Sequence, residues 1–381
     1  MLERLTIDYK KFLVDHYVFD SWQFLVNAQK NIATADYCYK VVKKLLSKME
    51  EEHLEWQDEF KKRITDLGTE KGSISIGYDD MPQYNLNVLG MDVGYPFFVD
   101  KYVKDFFQYL RNAFDSIAQA VNTALLANES KNIERVDFIK IYTALSSASF
   151  SQKFPKTLDW FSVVKDSSEF SYISEFNNRI KHISDARVIM SQNLFNDDKT
   201  NKIDAFFKKG IQFSEQDILT ITEGVMGFVN DKFKVFLDVL TEEIKLDTFS
   251  KGRIHNLNFY GQQIKNDPDS SFNVIFIEVE SSIDELEDII RILLINKNDD
   301  IYSMNCDYDE ILVRDQNEKY IGKFILDDVS TEDGLLRYRK YKKEYCDGMY
   351  AFINQSRKKL SVKPFFMSGK IVRVGFDDPE V

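Results

Sequence analysis

Val103, Phe107, Leu110, Phe114, Ile117, Val121 and Leu125 recur at spacings of 4, 3, 4, 3, 4 and 4. Apolar residues in that rhythm share one face of an α-helix but would scatter over both faces of a strand, so this stretch is read as a long helix with a buried stripe. Beside it runs a polar stripe of Gln108, Asn112, Asp115, Gln119 and Asn122. A helix with both faces so ordered belongs in a bundle, its polar side pointing into a site or into water.

The rest of the chain agrees with a mainly helical protein. Its 381 residues exceed what one hydrophobic core serves, so two or three domains are expected. Fifteen glycines and six prolines are few beside 31 Phe and 19 Tyr, which favours long elements over tight turns. No apolar run reaches the length of a membrane span, and the start MLERLTIDYKKF lacks a signal-peptide core. Cys38, Cys306 and Cys346 are far apart with no Cys-x-x-Cys pair, so neither a disulfide framework nor a zinc site is expected, and a reducing cytoplasm is. The net charge of −12 opposes wholesale coating of nucleic acid while leaving room for a local basic site.

Three regions follow. Residues 1–98 read as N-terminal helices plus a Gly-rich insert, which contains Ser73-Ile74-Ser75-Ile76, alternating as a short strand would, and suits a hairpin or flap. His53 stands in the charged run with Glu51, Glu52 and Glu55; lacking a second histidine at metal-ligand spacing, it reads as part of a solvated helix face. Residues 99–248 read as the helical bundle, with a helix in ARVIMSQNLF after Ser184-Asp185 and a long one opened by Ser214-Glu215-Gln216-Asp217. Residues 268–381 read as a small α+β domain: a strand at 272–279, an amphipathic helix at 283–294, strands around 310–327, a helix near 333–358 and a closing strand at 370–376.

No phosphate-binding glycine loop or dinucleotide fingerprint is present, and the acidic pairs Asp197-Asp198, Asp299-Asp300 and Asp377-Asp378 read as solvated loops, so no cofactor and no metal is expected. The segment most like chemistry is Glu175-Phe176-Asn177-Asn178-Arg179-Ile180-Lys181-His182-Ile183. Two readings compete. Histidine titrates near neutrality and serves acid–base chemistry, while arginine and lysine can hold a phosphate. Alternatively, the cations stabilise a helix C-terminus and Ser184-Asp185 caps the next helix.

Together with the amphipathic helix carrying Asp115 and Asn122, Phe-Asn-Asn-Arg-Ile-Lys-His resembles the HEPN superfamily of prokaryotic helical bundles. The resemblance covers about the middle two-fifths of the chain. It implies a metal-independent ribonuclease of a bacterial or phage defence or toxin system, cytoplasmic, acting on RNA as a homodimer, with a partner protein of that system in view. Carried over residue by residue, His182 is the general acid/base, Asn178 the polar positioning group, Arg179 a substitute phosphate ligand and Asp115 the orienter of the histidine. Asn177 stands where the family has its arginine. That substitution supports the alternative, a catalytically inactive HEPN-like interaction or regulatory module, working by dimerisation or by sensing a phage or nucleotide ligand. Lys181 and the run Arg337, Arg339, Lys340, Lys342 and Lys343, interleaved with tyrosines, are the candidate nucleic-acid contacts. The competing reading of that run is an amphipathic helix with Tyr338, Tyr341 and Tyr345 on its buried side.

Overall fold

The computed structural model describes residues 5–16, 18, 21–66, 77, 80–126, 131, 133–182, 187–193, 198–208, 210–245, 258–263, 274–286, 288–296, 309–326, 339–346, 356–365 and 371–376. Ser73–Ile76 lies outside them, as do Asp197, Asp299, Asp300, Asp377, Asp378 and His255. The described chain is mainly α-helical and forms two compact units: Asn27–Ser116 with Asp159–Asp238, and Met1–Val26 with Ile117–Leu158 and Val239–Val381. No described helix is long and apolar enough to cross a membrane.

Helices α1 (Ile7–Asp15) and α2 (Ser21–Asp66) open the chain, followed by the hairpin β1 (Asn85–Val88)–β2 (Met91–Gly94). Helix α3 (Tyr95–Ala124) carries the heptad-like stripe as far as Val121, with Leu125 just past its end, and has Pro96 in its first turn, where a missing N–H costs nothing. All seven stripe residues are 1 % exposed or less. Short helices α4 (Phe138–Leu145) and α5 (Ala148–Ser151) lead to α6 (Pro155–Lys165) and α7 (Ser168–His182).

In the first unit α3 and α7 pack antiparallel. Phe107 meets Tyr172 and Phe176, at ring separations of 5.4 and 4.5 Å, while Phe114 meets Phe170 edge-on at 5.0 Å. Position rises along α3 as it falls along α7, and this register decides which polar residues can meet.

Between α7 and α8 (Ile218–Lys245) the chain forms strands instead of the expected helix at ARVIMSQNLF. They are β3 (Val188–Gln192), β4 (Lys199–Ile203), β5 (Phe206–Lys208), β6 (Ile211–Phe213) and β7 (Gln216–Asp217); β3, β4 and β7 make one sheet and β5–β6 a hairpin. Val188 and Ile189 are β-branched, and the Val188–Ile203 to Gln192–Lys199 ladder uses partners that no local pattern reveals. The residue capping α8 is Asp217, whose carboxylate accepts the Thr220 N–H at 2.8 Å, rather than Ser214.

The C-terminal region is a closed eight-stranded barrel, not the expected α+β domain. Its strands are β8 (Asn258–Gln263), β9 (Val274–Val279), β10 (Ile289–Asn296), β11 (Glu310–Asp315), β12 (Tyr320–Leu326), β13 (Arg339–Tyr345), β14 (Ser356–Phe365) and β15 (Ile371–Phe376). Around the barrel they run β10-β13-β12-β11-β9-β8-β14-β15, and a parallel ladder from Arg291–Ile371 to Asn296–Phe376 closes it. Among the described residues of the barrel, closure leaves no edge strand.

Both expected C-terminal helices fail for identifiable reasons. Ser282 and Glu285 form a genuine capping box, but the helix it opens is one 3-10 turn, Ile283–Glu285. The run Ile289-Ile290-Arg291-Ile292-Leu293-Leu294-Ile295 then suits a fully buried strand as well as it suits a helix. In β13, Tyr341 and Tyr345 are four apart, a spacing that keeps one face in a strand as in a helix. Gly322 of β12 lies so close to β13 that an added Cβ would stand 2.8 Å from the Glu344 carbonyl oxygen.

Candidate functional site

The motif occupies the last two turns of α7, and the structure disperses its members. Asn177 is buried at 4 % exposure. Asn178 is half-buried and Lys181 exposed. His182 is the final helical residue; its side chain lies outside the described residues.

Arg179 turns to the β5–β6 hairpin. Its guanidinium lies 5.8 Å from the centre of the Phe206 ring and donates from Nη1 to the Phe207 carbonyl at 3.4 Å. Its Nε is buried with no hydrogen-bond partner among the described residues. The hairpin explains the choice. In a two-residue hairpin the pair flanking the loop, here Lys208–Ile211, exchanges hydrogen bonds, so the next pair, Phe207–Gln212, points its main-chain groups outward. Arg179 takes the outward carbonyl of Phe207 and thereby covers the free edge of β5.

Asp115 is ion-paired to Arg111 one turn earlier on α3, Nη2 to Oδ1 3.0 Å. Arg111 also donates to the Ser174 hydroxyl at 3.4 Å and lies over the Phe170 ring. Asp115 therefore sits level with the beginning of α7. From Phe170 to His182 is twelve residues, about 18 Å at 1.5 Å per residue, more than the two side chains can span. Within one chain the structure does not bring Asp115 and His182 together. Asn122 is fully buried and clamps the main chain of Lys131, donating to its carbonyl at 2.9 Å and accepting its N–H at 2.8 Å.

The basic run of the barrel is likewise divided. Arg337 lies outside the described residues, as do the side chains of Arg339 and Lys340. Lys342 is exposed. Lys343, only 6 % exposed at its side chain, is paired with Asp288 at 2.9 Å and donates to the Leu286 carbonyl at 2.8 Å. Strand alternation puts Lys342 and Lys343 on opposite faces of β13, so these two do not share a single cationic stripe.

Sequence reasoning misplaced His53. It is 5 % exposed, with Nδ1 2.5 Å from the Tyr84 hydroxyl and Nε2 2.9 Å from the Asn193 carbonyl. Tyr84 donates in turn to Gln192 at 3.0 Å. The covering residues are 31 and 140 positions away, so the charged local sequence carried no sign of them. No group of three or more His, Cys, Asp or Glu side chains among the described residues is placed to hold a metal ion.

Residues 255–372 match a family model described as a domain of unknown function, DUF8310, and these residues hold the barrel from β8 into β15. No curated protein and no solved structure matches the chain.

Proposed function

We propose that this chain is a catalytically inactive, HEPN-like interaction and regulatory module, in the defence or toxin setting that the resemblance implies. The observation that carries the reading is where the arginine chemistry has gone. Metal-free RNA cleavage needs a fixed cation at the developing phosphorane charge. Here Asn177 fills the usual arginine slot, and Arg179 is committed to Phe206 and Phe207. Within one chain Asp115 is also placed away from the histidine, held by Arg111 near the start of α7. What remains at the open end of the helix, Lys181 beside His182, is one exposed cation.

Purified protein is incubated with total RNA in chelator beside Asn177→Arg and His182→Ala. The expected result is no His182-dependent cleavage by the wild type. Cleavage by the wild type that His182→Ala abolishes overturns the proposal and restores the ribonuclease reading.

A further inference from the structure

Beside the covered edge of β5, the other edge of the same hairpin is open. A groove of about 510 Å³ runs between the first turns of α7, the β6–β7 segment and the first turns of α8. Its volume falls in the range of sites that hold ligands. All three residues of β6, Ile211, Gln212 and Phe213, line it. Successive strand residues point to opposite faces, so a groove that touches all three runs along the strand edge rather than over one face. That edge carries the outward N–H and C=O of Gln212, by the same alternation that turns the Phe207 carbonyl toward Arg179.

The lining defines what can enter. Tyr172, Phe213, Ile221 and Val225 supply apolar surface, while Ser168, Ser171, Ser214 and Thr220 supply hydroxyls. Among the described residues Glu169 is the single charged one in the lining, and none of them is a cation. Phosphate-bearing ligands, including RNA, would meet a carboxylate with nothing to neutralise their charge. The α8 wall is kept low by Gly224, whose added Cβ would meet nothing within 4 Å. A glycine inside a helix is destabilising by about 1 kcal/mol relative to alanine, and this one stands where a side chain would project into the groove.

We propose that the groove binds an extended peptide segment of a partner protein, added as a third strand to the free edge of β6. The segment has apolar residues at alternate positions to meet Tyr172, Phe213 and Ile221, and a lysine or arginine to meet Glu169. Main-chain hydrogen bonds to Gln212 supply register and the alternate pockets supply selectivity, as in strand addition generally. The proposal rests on the reading of this chain as an interaction module and names the chemistry of its partner. Arg179 has a part in it: by securing β5 it holds β6 in place as a template.

The test uses the full chain and a fluorescein-labelled, end-blocked peptide of alternating valine and lysine, eight residues long. A valine–glutamate peptide and a peptide of the same valines and lysines in two blocks are the comparisons. Gly224→Trp fills the groove, and Gly227→Trp is its control: Gly227 is on the same helix, an added Cβ there also meets nothing within 4 Å, and it does not line the groove. The alternating valine–lysine peptide is expected to bind wild type and Gly227→Trp alike, to bind Gly224→Trp at least tenfold more weakly, and to slow hydrogen exchange at Gln212. Binding that is equal for Gly224→Trp, equal for the block peptide, or absent altogether overturns the proposal. None of these outcomes depends on RNA, so loss of the groove site and loss of the inactive-module reading are separately visible.

Discussion

Replacing Arg179 separates its two possible roles. As a phosphate ligand it would leave the fold untouched when lost. As the clamp on β5 its loss should loosen the hairpin. The magnitude follows from its contacts. A guanidinium 5.8 Å from the Phe206 ring centre contributes about 0.5–1 kcal/mol at a partly exposed site. The 3.4 Å bond to the Phe207 carbonyl is beyond the ordinary range for N–H···O and adds less than the ~1 kcal/mol of a well-made hydrogen bond. The buried Nε without a partner offsets part of both. The sum is about 1 kcal/mol, which in local opening is roughly a fivefold change. Arg179→Ala should therefore raise amide exchange across Phe206–Phe213 about fivefold and leave the α3–α7 core unchanged. Arg179→Met, which keeps the stem packed on the hairpin, should show a smaller rise. Hydrogen exchange read by mass spectrometry on peptides covering 204–214 measures both. Unchanged exchange in Arg179→Ala would refute the clamp and return the guanidinium to the pool of free cations.

Two further expectations concern the second unit. Glu243 of α8 is fully buried and caps the start of α6, its Oε1 accepting the N–H groups of Lys156 at 2.8 Å and Thr157 at 3.2 Å, while burial pushes its carboxyl above the usual range and those N–H groups oppose the push. Because the folded state holds this proton more tightly than the unfolded chain, the stability it contributes is fully present below the unfolded pKa and is lost as pH rises through the folded one. Chemical denaturation of wild type against Glu243→Gln from pH 4 to 8 should show the wild type losing ground as pH rises; Glu243→Ala, which leaves two helix N–H groups uncapped, should cost about 2 kcal/mol at the acid end of that range and less as pH rises. In the barrel, Gly322→Ala forces a Cβ against the Glu344 carbonyl and the Ile283 side chain, and should lower stability by about 2 kcal/mol or more, read as a fall in the thermal midpoint of the barrel.

How much of this was written in the sequence depends on how far each residue's partners lie along the chain. The α3 stripe was legible because a helix forms its hydrogen bonds within itself, leaving the apolar spacing as a direct record of which face is buried. The barrel was not. Its strands β10 and β15 are neighbours across some eighty residues, and a run such as IIRILLI records burial without saying which backbone pattern achieves it. Ser282 and Glu285 do form a capping box there, yet the helix it opens stops after one turn. The same distance effect hid His53, whose hydroxyl and carbonyl partners come from two other segments.

The motif at the end of α7 teaches a narrower lesson about reading sites. Sequence placed Asn177 and Arg179 correctly on one helix, and spacing alone could put Arg179 near His182, since residues three apart share a face. What spacing could not report was the demand made on Arg179 from outside the helix. The outward carbonyl of Phe207 is fixed by a two-residue hairpin, and a strand edge left open beside a helix draws the nearest donor. The arginine answers that demand on one edge of the hairpin, and among the described residues no arginine or lysine lines the groove at the other, where Gln212 borders it. A chain that closes β5 with its own arginine and leaves β6 bordered by apolar surface, hydroxyls and one carboxylate has kept a place for a strand, and a poor one for a phosphate.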